Sequence, residues 1–135
     1  MRISTKGRHA VMAMVDIACH AGDKPVPLAE VAQRQMISLS YLEQLVAKLK
    51  KNGLVKSMRG PGGGYILGLD QKAMTVYQIV IAVDTTPQRD KVVSEGLSNN
   101  QIARKLTDQL WSKMTDEVHK YLKSVTLADV IQKKV

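Results

Sequence analysis

Arg59 stands before the turn Gly60-Pro61-Gly62-Gly63-Gly64, and Ser40, Glu43, Gln44 and Lys48 are spaced along the segment ahead of it. These are the residues of the 135-residue chain whose types and order suit chemistry. A guanidinium offers a rigid fork of donors and a permanent charge, which matches phosphates and base edges. Glutamine pairs bidentately with adenine, glutamate accepts from the cytosine amino group, and serine serves bases or phosphate. The chemistry is recognition and makes no covalent bond. Between Lys48 and Arg59 lie Lys48, Lys50, Lys51, Lys56 and Arg59 with no acid among them, a patch suited to a polyanion.

Other chemistries are excluded by what surrounds these residues. A phosphate-binding loop needs Lys-Ser or Lys-Thr after its last glycine, and here Tyr65 follows Gly64. A dinucleotide fingerprint must open a helix, whereas this segment leads into a strand. The chain shows no Ser-His-Asp arrangement, no paired carboxylates in a cleft pattern and no metal-ligand spacing, so an enzyme is not expected. The net charge is +8, from 20 Lys and Arg against 12 Asp and Glu, and 44% of residues are hydrophobic, as in a globular fold. Cys19 is the lone cysteine, so no intramolecular disulfide forms, and its place in an apolar helical pattern predicts a buried small hydrophobe. The expected compartment is the cytoplasm. No apolar run is long enough for a membrane span or of signal-peptide type.

These residues must be held by a scaffold, and periodicity predicts one that is mainly α with a small β-hairpin. Ser4 or Thr5 caps a first helix through His20, with Ala10, Val11, Met14, Val15, Ile17 and Ala18 on one broad face and Gly22 as its stop. After Pro25 and Pro27, a short helix over 28–35 presents Leu28, Val31 and Ala32 at helical spacing. A turn at Met36-Ile37 leads to Ser38, which caps a third helix over 39–52 with Leu42, Leu45, Val46 and Leu49 inward and Gly53 as a left-handed stop. Two helices joined by a three-residue turn read as helix-turn-helix, and Ser40, Glu43, Gln44 and Lys48 fall on the face that such a helix offers to bases. Strands at 55–58 and 65–67 flank the glycine tip, which suits a DNA-gripping wing and also a plain surface loop. Helix, basic run and wing in this order favour the wing.

Thr75 caps a fourth helix through Val83, placing Val76, Ile79, Val80 and Val83 beneath the wing. The domain expected from this reading is a winged helix-turn-helix over 1–84. A polar loop follows at 85–98. Asn99 or Asn100 then opens a long helix over 99–125, in which Ile102, Leu106, Leu110, Met114, Val118, Leu122 and Val125 recur every three or four residues. At 1.5 Å per residue it spans about 37 Å, more than a small domain needs for itself. Dimerisation through Ile102, Leu106, Leu110, Met114, Val118 and Leu122 is the economical reading, since paired helix-turn-helix units match a pseudo-palindromic site. A helix packed wholly within its own chain is the alternative. Thr126 caps a last short helix in the 126–135 tail.

Three segments, Met1-Arg2-Ile3-Ser4-Thr5-Lys6-Gly7-Arg8, Ser38-Leu39-Ser40-Tyr41-Leu42-Glu43-Gln44-Leu45 and Arg59-Gly60-Pro61-Gly62-Gly63-Gly64-Tyr65, resemble the IscR-type winged helix-turn-helix transcription regulators. The resemblance runs through residues 1–84 and resumes over 106–135. It implies a dimer on double-stranded DNA in which Ser40, Glu43 and Gln44 read the major groove and Arg59 enters the minor groove, where a narrow A·T-rich groove attracts arginine. The full DNA-facing set expected is Ser38, Ser40, Tyr41, Glu43, Gln44, Lys48, Lys51, Arg59, Gly60, Pro61, Gly62 and Gly63. In cluster-binding relatives the glutamate at position 43 selects against certain operators.

Many such regulators hold an iron-sulfur cluster with three cysteines and a histidine around the start of the long helix. Here the family's Cys-Leu-Thr-His pattern is replaced by Lys105-Leu106-Thr107-Asp108, no cysteine lies in 85–104, and position 8, an acidic ligand in some relatives, is Arg8. Clusters require thiolates, so none is expected. The function expected is therefore a homodimeric, cluster-independent DNA-binding regulator, most simply a repressor. The alternatives are a cysteine-metabolism regulator controlled by a partner enzyme and a dimeric adaptor that has lost its sensor.

Overall fold

The computed structural model describes residues 3–22, 24–84 and 101–135. Among the described residues, six helices and one hairpin follow in the order α1 (Thr5–His20), α2 (Leu28–Gln35), α3 (Leu39–Lys51), β1 (Val55–Met58), β2 (Gly64–Leu67), α4 (Val76–Val83), α5 (Ile102–Ser124) and α6 (Leu127–Ile131). Side-chain caps set several of the starts. Ser4 accepts from the Gly7 amide at the head of α1, and Ser38 accepts from the Tyr41 amide at the head of α3. Thr75 with Gln78 and Thr126 with Asp129 form reciprocal capping boxes on α4 and α6.

The core lies where α1 crosses α2, α3 and α4. Ala10, Ala13, Met14 and Ile17 of α1 meet Val31 of α2, Leu42, Leu45, Val46 and Leu49 of α3, and Ile79 and Val83 of α4. A second, smaller cluster joins Val76 and Val80 to Val125, with Leu122 packed against it. Thr75 and Thr126 form an antiparallel bridge, so the chain returning from α5 is tied beside the start of α4. The Leu127 amide donates to the Met74 carbonyl at 2.8 Å, which seats α6 on the core.

Two local expectations are corrected. The first concerns the end of α1: Ala21 is its C-cap, donating to Ile17 at 2.8 Å, and Gly22 is not among the glycines with positive φ. Ala21 takes φ −80°, ψ 84°, so this exit needs no left-handed residue. The second concerns Cys19, which is exposed. At 100° per residue it lies about 200° around the helix from Ile17, off the buried row of Ala10, Ala13, Met14 and Ile17.

The expected polar loop at 85–98 and the helix start at Asn99 or Asn100 lie outside the described residues. In the described chain Gln101 occupies the N-cap position of α5 without a side-chain cap. None of the α5 residues is buried, while Met114, Val118 and Leu122 are half-buried. No helix among the described residues is long and apolar enough to cross a membrane.

Candidate nucleic-acid interface

The α2–α3 corner begins at Met36, whose φ of 57° and ψ of 43° put a non-glycine residue in the left-handed region. Ile37 and Ser38 complete the turn, and burial of Leu42, Leu45, Val46 and Leu49 fixes how α3 lies on the core. The opposite face is then determined by the helical period. Ser38, Ser40, Glu43 and Gln44 are exposed along it, with Lys48 half-buried one turn further on. The Ser38 and Ser40 hydroxyls lie 3.3 Å apart at the head of the helix. Tyr41 is half-buried, and its hydroxyl is 2.9 Å from Nδ1 of His9 on α1.

Lys48, Lys50 and Lys51 fall in the last turn of α3, where cations complement the helix dipole. Asn52 closes the helix, its side-chain amide donating to the Lys48 carbonyl at 2.8 Å, and Gly53 follows at φ 75°. The hairpin pairs Val55 with Leu67, Lys56 with Ile66, Ser57 with Tyr65 and Met58 with Gly64. Arg59 and Pro61 project at the tip, where Gly60 and Gly62 turn at φ 107° and 77° and the Gly63 amide donates to Gly60 at 2.8 Å. An all-L side-chain turn would be strained at those two positions.

Sequence-expected site residues therefore fall on two adjoining pieces, the outer face of α3 and the hairpin tip, joined by Asn52, Gly53 and Leu54. Among the described residues, no carboxylate comes within ion-pair distance of Lys48, Lys50, Lys51, Lys56 or Arg59. The strip therefore carries positive charge that no ion pair among the described residues offsets. Glu43 is the one acid on the outer face of α3.

Sequence reasoning passed over a second set of polar residues behind this surface. Asp16, on the buried side of α1, accepts from Arg34 and Gln35 of α2, and His9 reaches Tyr41. The available signal was a carboxylate one residue before the core residue Ile17, with an arginine and a glutamine at the end of the next helix.

An iron-sulfur cluster does not fit the donors present. The lone thiol, Cys19, sits on α1, and the described residues hold no group of three or more His, Cys, Asp or Glu side chains that could bind a metal. Of the residues at the family's ligand positions, Lys105 cannot supply a thiolate and Arg8 is cationic.

Comparison with known proteins agrees with this geometry. The sequence profile of the Rrf2 family, described as iron-dependent transcriptional regulators, matches residues 3–133. The HTH-type transcriptional regulator IscR of Yersinia pestis is 47% identical over 132 residues, covering 97% of this chain and 79% of the relative. IscR of Photorhabdus laumondii is 46% identical over the same length and shares. Among solved structures, T. potens IscR superposes with a TM-score of 0.78 at 37% identity, covering 100% of this chain and 89% of the other. CymR, the global cysteine regulator of B. subtilis, superposes with a TM-score of 0.77 at 36% identity, covering 98% of each chain. With a helix-turn-helix, a basic run, a glycine-tipped wing and these relatives together, the chain belongs to the Rrf2 family and is an IscR-like winged-helix DNA-binding transcription regulator.

Proposed function

We propose that the chain acts as a homodimeric, cluster-independent repressor in the cytoplasm, binding a pseudo-palindromic operator. Ser40, Glu43 and Gln44 read base edges in the major groove, and Arg59 enters the minor groove from the wing. Ser38, Tyr41, Lys48 and Lys51 meet the backbone, and Gly60, Pro61, Gly62 and Gly63 let the wing approach it closely. Repression needs only occupancy, since a bound dimer blocks an overlapping promoter without touching anything but DNA.

One observation carries the dimer: α5 buries none of its 23 residues, and Ile102, Leu106, Leu110 and Trp111 remain 57%, 68%, 57% and 50% exposed. The i, i+4 spacing of the apolar row makes it drift around the helix. Its last part, Leu122 and Val125, is used against α4, whereas Ile102, Leu106 and Leu110 find no cover among the described residues. A second copy is the economical occupant, because an isologous interface pairs each patch with its own equivalent. Sedimentation of native protein and of Leu106→Asp/Leu110→Asp tests this. Native dimer and variant monomer support the proposal, and a native monomer at micromolar concentration defeats it.

The donor set supports independence from a cluster, as it supplies one thiol where thiolate ligation needs several. The likeness to CymR over 98% of each chain favours a second reading, in which the signal comes through a partner enzyme of cysteine metabolism.

A further inference from the structure

Asp16 is a charged residue in the interior of the fold, 3% exposed. Every part of its carboxylate is used. Arg34 donates from Nε to Oδ2 at 3.0 Å and from Nη2 to Oδ1 at 2.7 Å, a two-pronged fork, and Gln35 donates from Nε2 to Oδ2 at 2.7 Å. His20 bonds the Asp16 carbonyl at 2.8 Å and lies 3.5 Å from Oδ1. Glu30, one turn earlier on α2, lies 3.7 Å from the Arg34 guanidinium on its outer side.

Stability alone is a poor reason for this arrangement. Leu28, Val31 and Ala32 already bury the apolar side of α2 in the core with Ala13, Met14 and Ile17. A buried ion pair gains little over apolar residues of the same volume, because desolvation of both charges offsets their attraction. What the fork adds is geometry. Hydrophobic attraction is non-directional, whereas a bidentate guanidinium–carboxylate pair is satisfied in a narrow range of relative placements.

The position of the clamp gives that geometry a use. Arg34 and Gln35 are the last two residues of α2, Met36 is the left-handed corner, and α3 begins three residues after the corner. Met36 is 90% exposed, so its own side chain does not hold the turn. We infer that Asp16 is a positioning residue for DNA reading: through Arg34 and Gln35 it fixes the end of α2 and so the angle at which α3 meets the groove. This rests on the reading of α3 as the base-contacting helix.

The test measures the affinity of the full-length chain for its preferred duplex, obtained by selection from random DNA, and for a scrambled duplex of equal length, beside thermal unfolding. Asp16→Asn and Arg34→Lys should lower affinity for the preferred duplex by about tenfold, the size of one lost base contact, and change scrambled-duplex affinity by less than about twofold. The apolar pair Asp16→Leu/Arg34→Met should unfold near the native temperature and still lack the native preference, a separation that a merely structural role would not produce. Should Asp16→Asn fail to fold, Arg34→Lys, which keeps the charge and loses the fork, and Gln35→Ala carry the decision. Folded variants with the native ratio of the two affinities would overturn the inference while leaving the DNA-reading role of α3 intact. A native ratio near one would instead overturn that role and the inference with it.

Discussion

Val26 and Tyr65 exchange two backbone hydrogen bonds, 2.9 Å from the Val26 amide and 2.8 Å from the Tyr65 amide. This single bridge docks β2 against the link between α1 and α2, so the wing is anchored to the same frame that carries the helix-turn-helix. The placement of Arg59 relative to α3 follows from it, because a two-stranded hairpin in water has little stability of its own.

The close approach at this bridge predicts the effect of a small substitution. A Cβ at Gly64 would run into the Val26 carbonyl and the Pro27 nitrogen, which are backbone atoms and cannot move aside cheaply. Gly64→Ala should therefore cost about 1 to 3 kcal/mol in urea unfolding and release the wing from its seat. The same change at Gly22, where a Cβ meets nothing within 4 Å, is the control and should leave stability close to native.

Arg59 and Lys51 should fail in different ways. Arg59→Ala is expected to cost about 1 to 3 kcal/mol on the preferred duplex and to relax selectivity at the bases nearest the wing. Lys51→Ala should weaken preferred and scrambled duplexes alike and reduce the slope of log affinity against log salt by about 1. Fluorescence anisotropy titrations at several salt concentrations read both. Equal effects of the two changes would remove the distinction between base reading and phosphate contact.

Glu43 is the acid on the outer face of α3, and in the proposed reading its carboxylate should penalise operators that bring phosphate or base acceptors close to it. Glu43→Ala should broaden the set of duplexes retained in a binding selection. An unchanged set would show that Glu43 does not contribute to discrimination.

Acid should expose the clamp in α1. Burial pushes the Asp16 carboxyl up, but hydrogen bonds from Arg34 and Gln35, with the charges of Arg34 and His20, outweigh it and hold the group below its ordinary 3.8. Below about pH 4 the unfolded chain takes up this proton before the folded one does, so the stabilisation present above that pH is lost as pH falls through the folded value. Thermal unfolding from pH 7 to pH 3 should therefore show a steeper acid decline for the native chain than for Asp16→Asn. Parallel declines would mean the carboxylate gains nothing from folding.

Much of the scaffold is legible because its signals are local. The bounds of α2, the caps at Ser38, Thr75 and Thr126, and the left-handed Gly53 follow from residue type and spacing within one or two turns. The exposed faces of α3 and of the tip follow once the inward row is known. What periodicity cannot supply is the partner across the fold. Nothing in the local pattern pairs Asp16 with Arg34, 18 residues later, or brings the Tyr41 hydroxyl within 2.9 Å of His9. Cys19 shows the reverse: its apolar neighbours suggest burial, but the core uses only one side of α1 at that turn.

Selection of native full-length protein on a pool of random duplexes, followed by sequencing of the retained DNA, tests the central proposal most directly. A homodimer reading through α3 and the wing should enrich a two-fold related pair of half-sites about one helical turn apart, and Arg59→Ala should lose preference at positions flanking each half-site. Enrichment of a single asymmetric half-site, or of no motif, would contradict it.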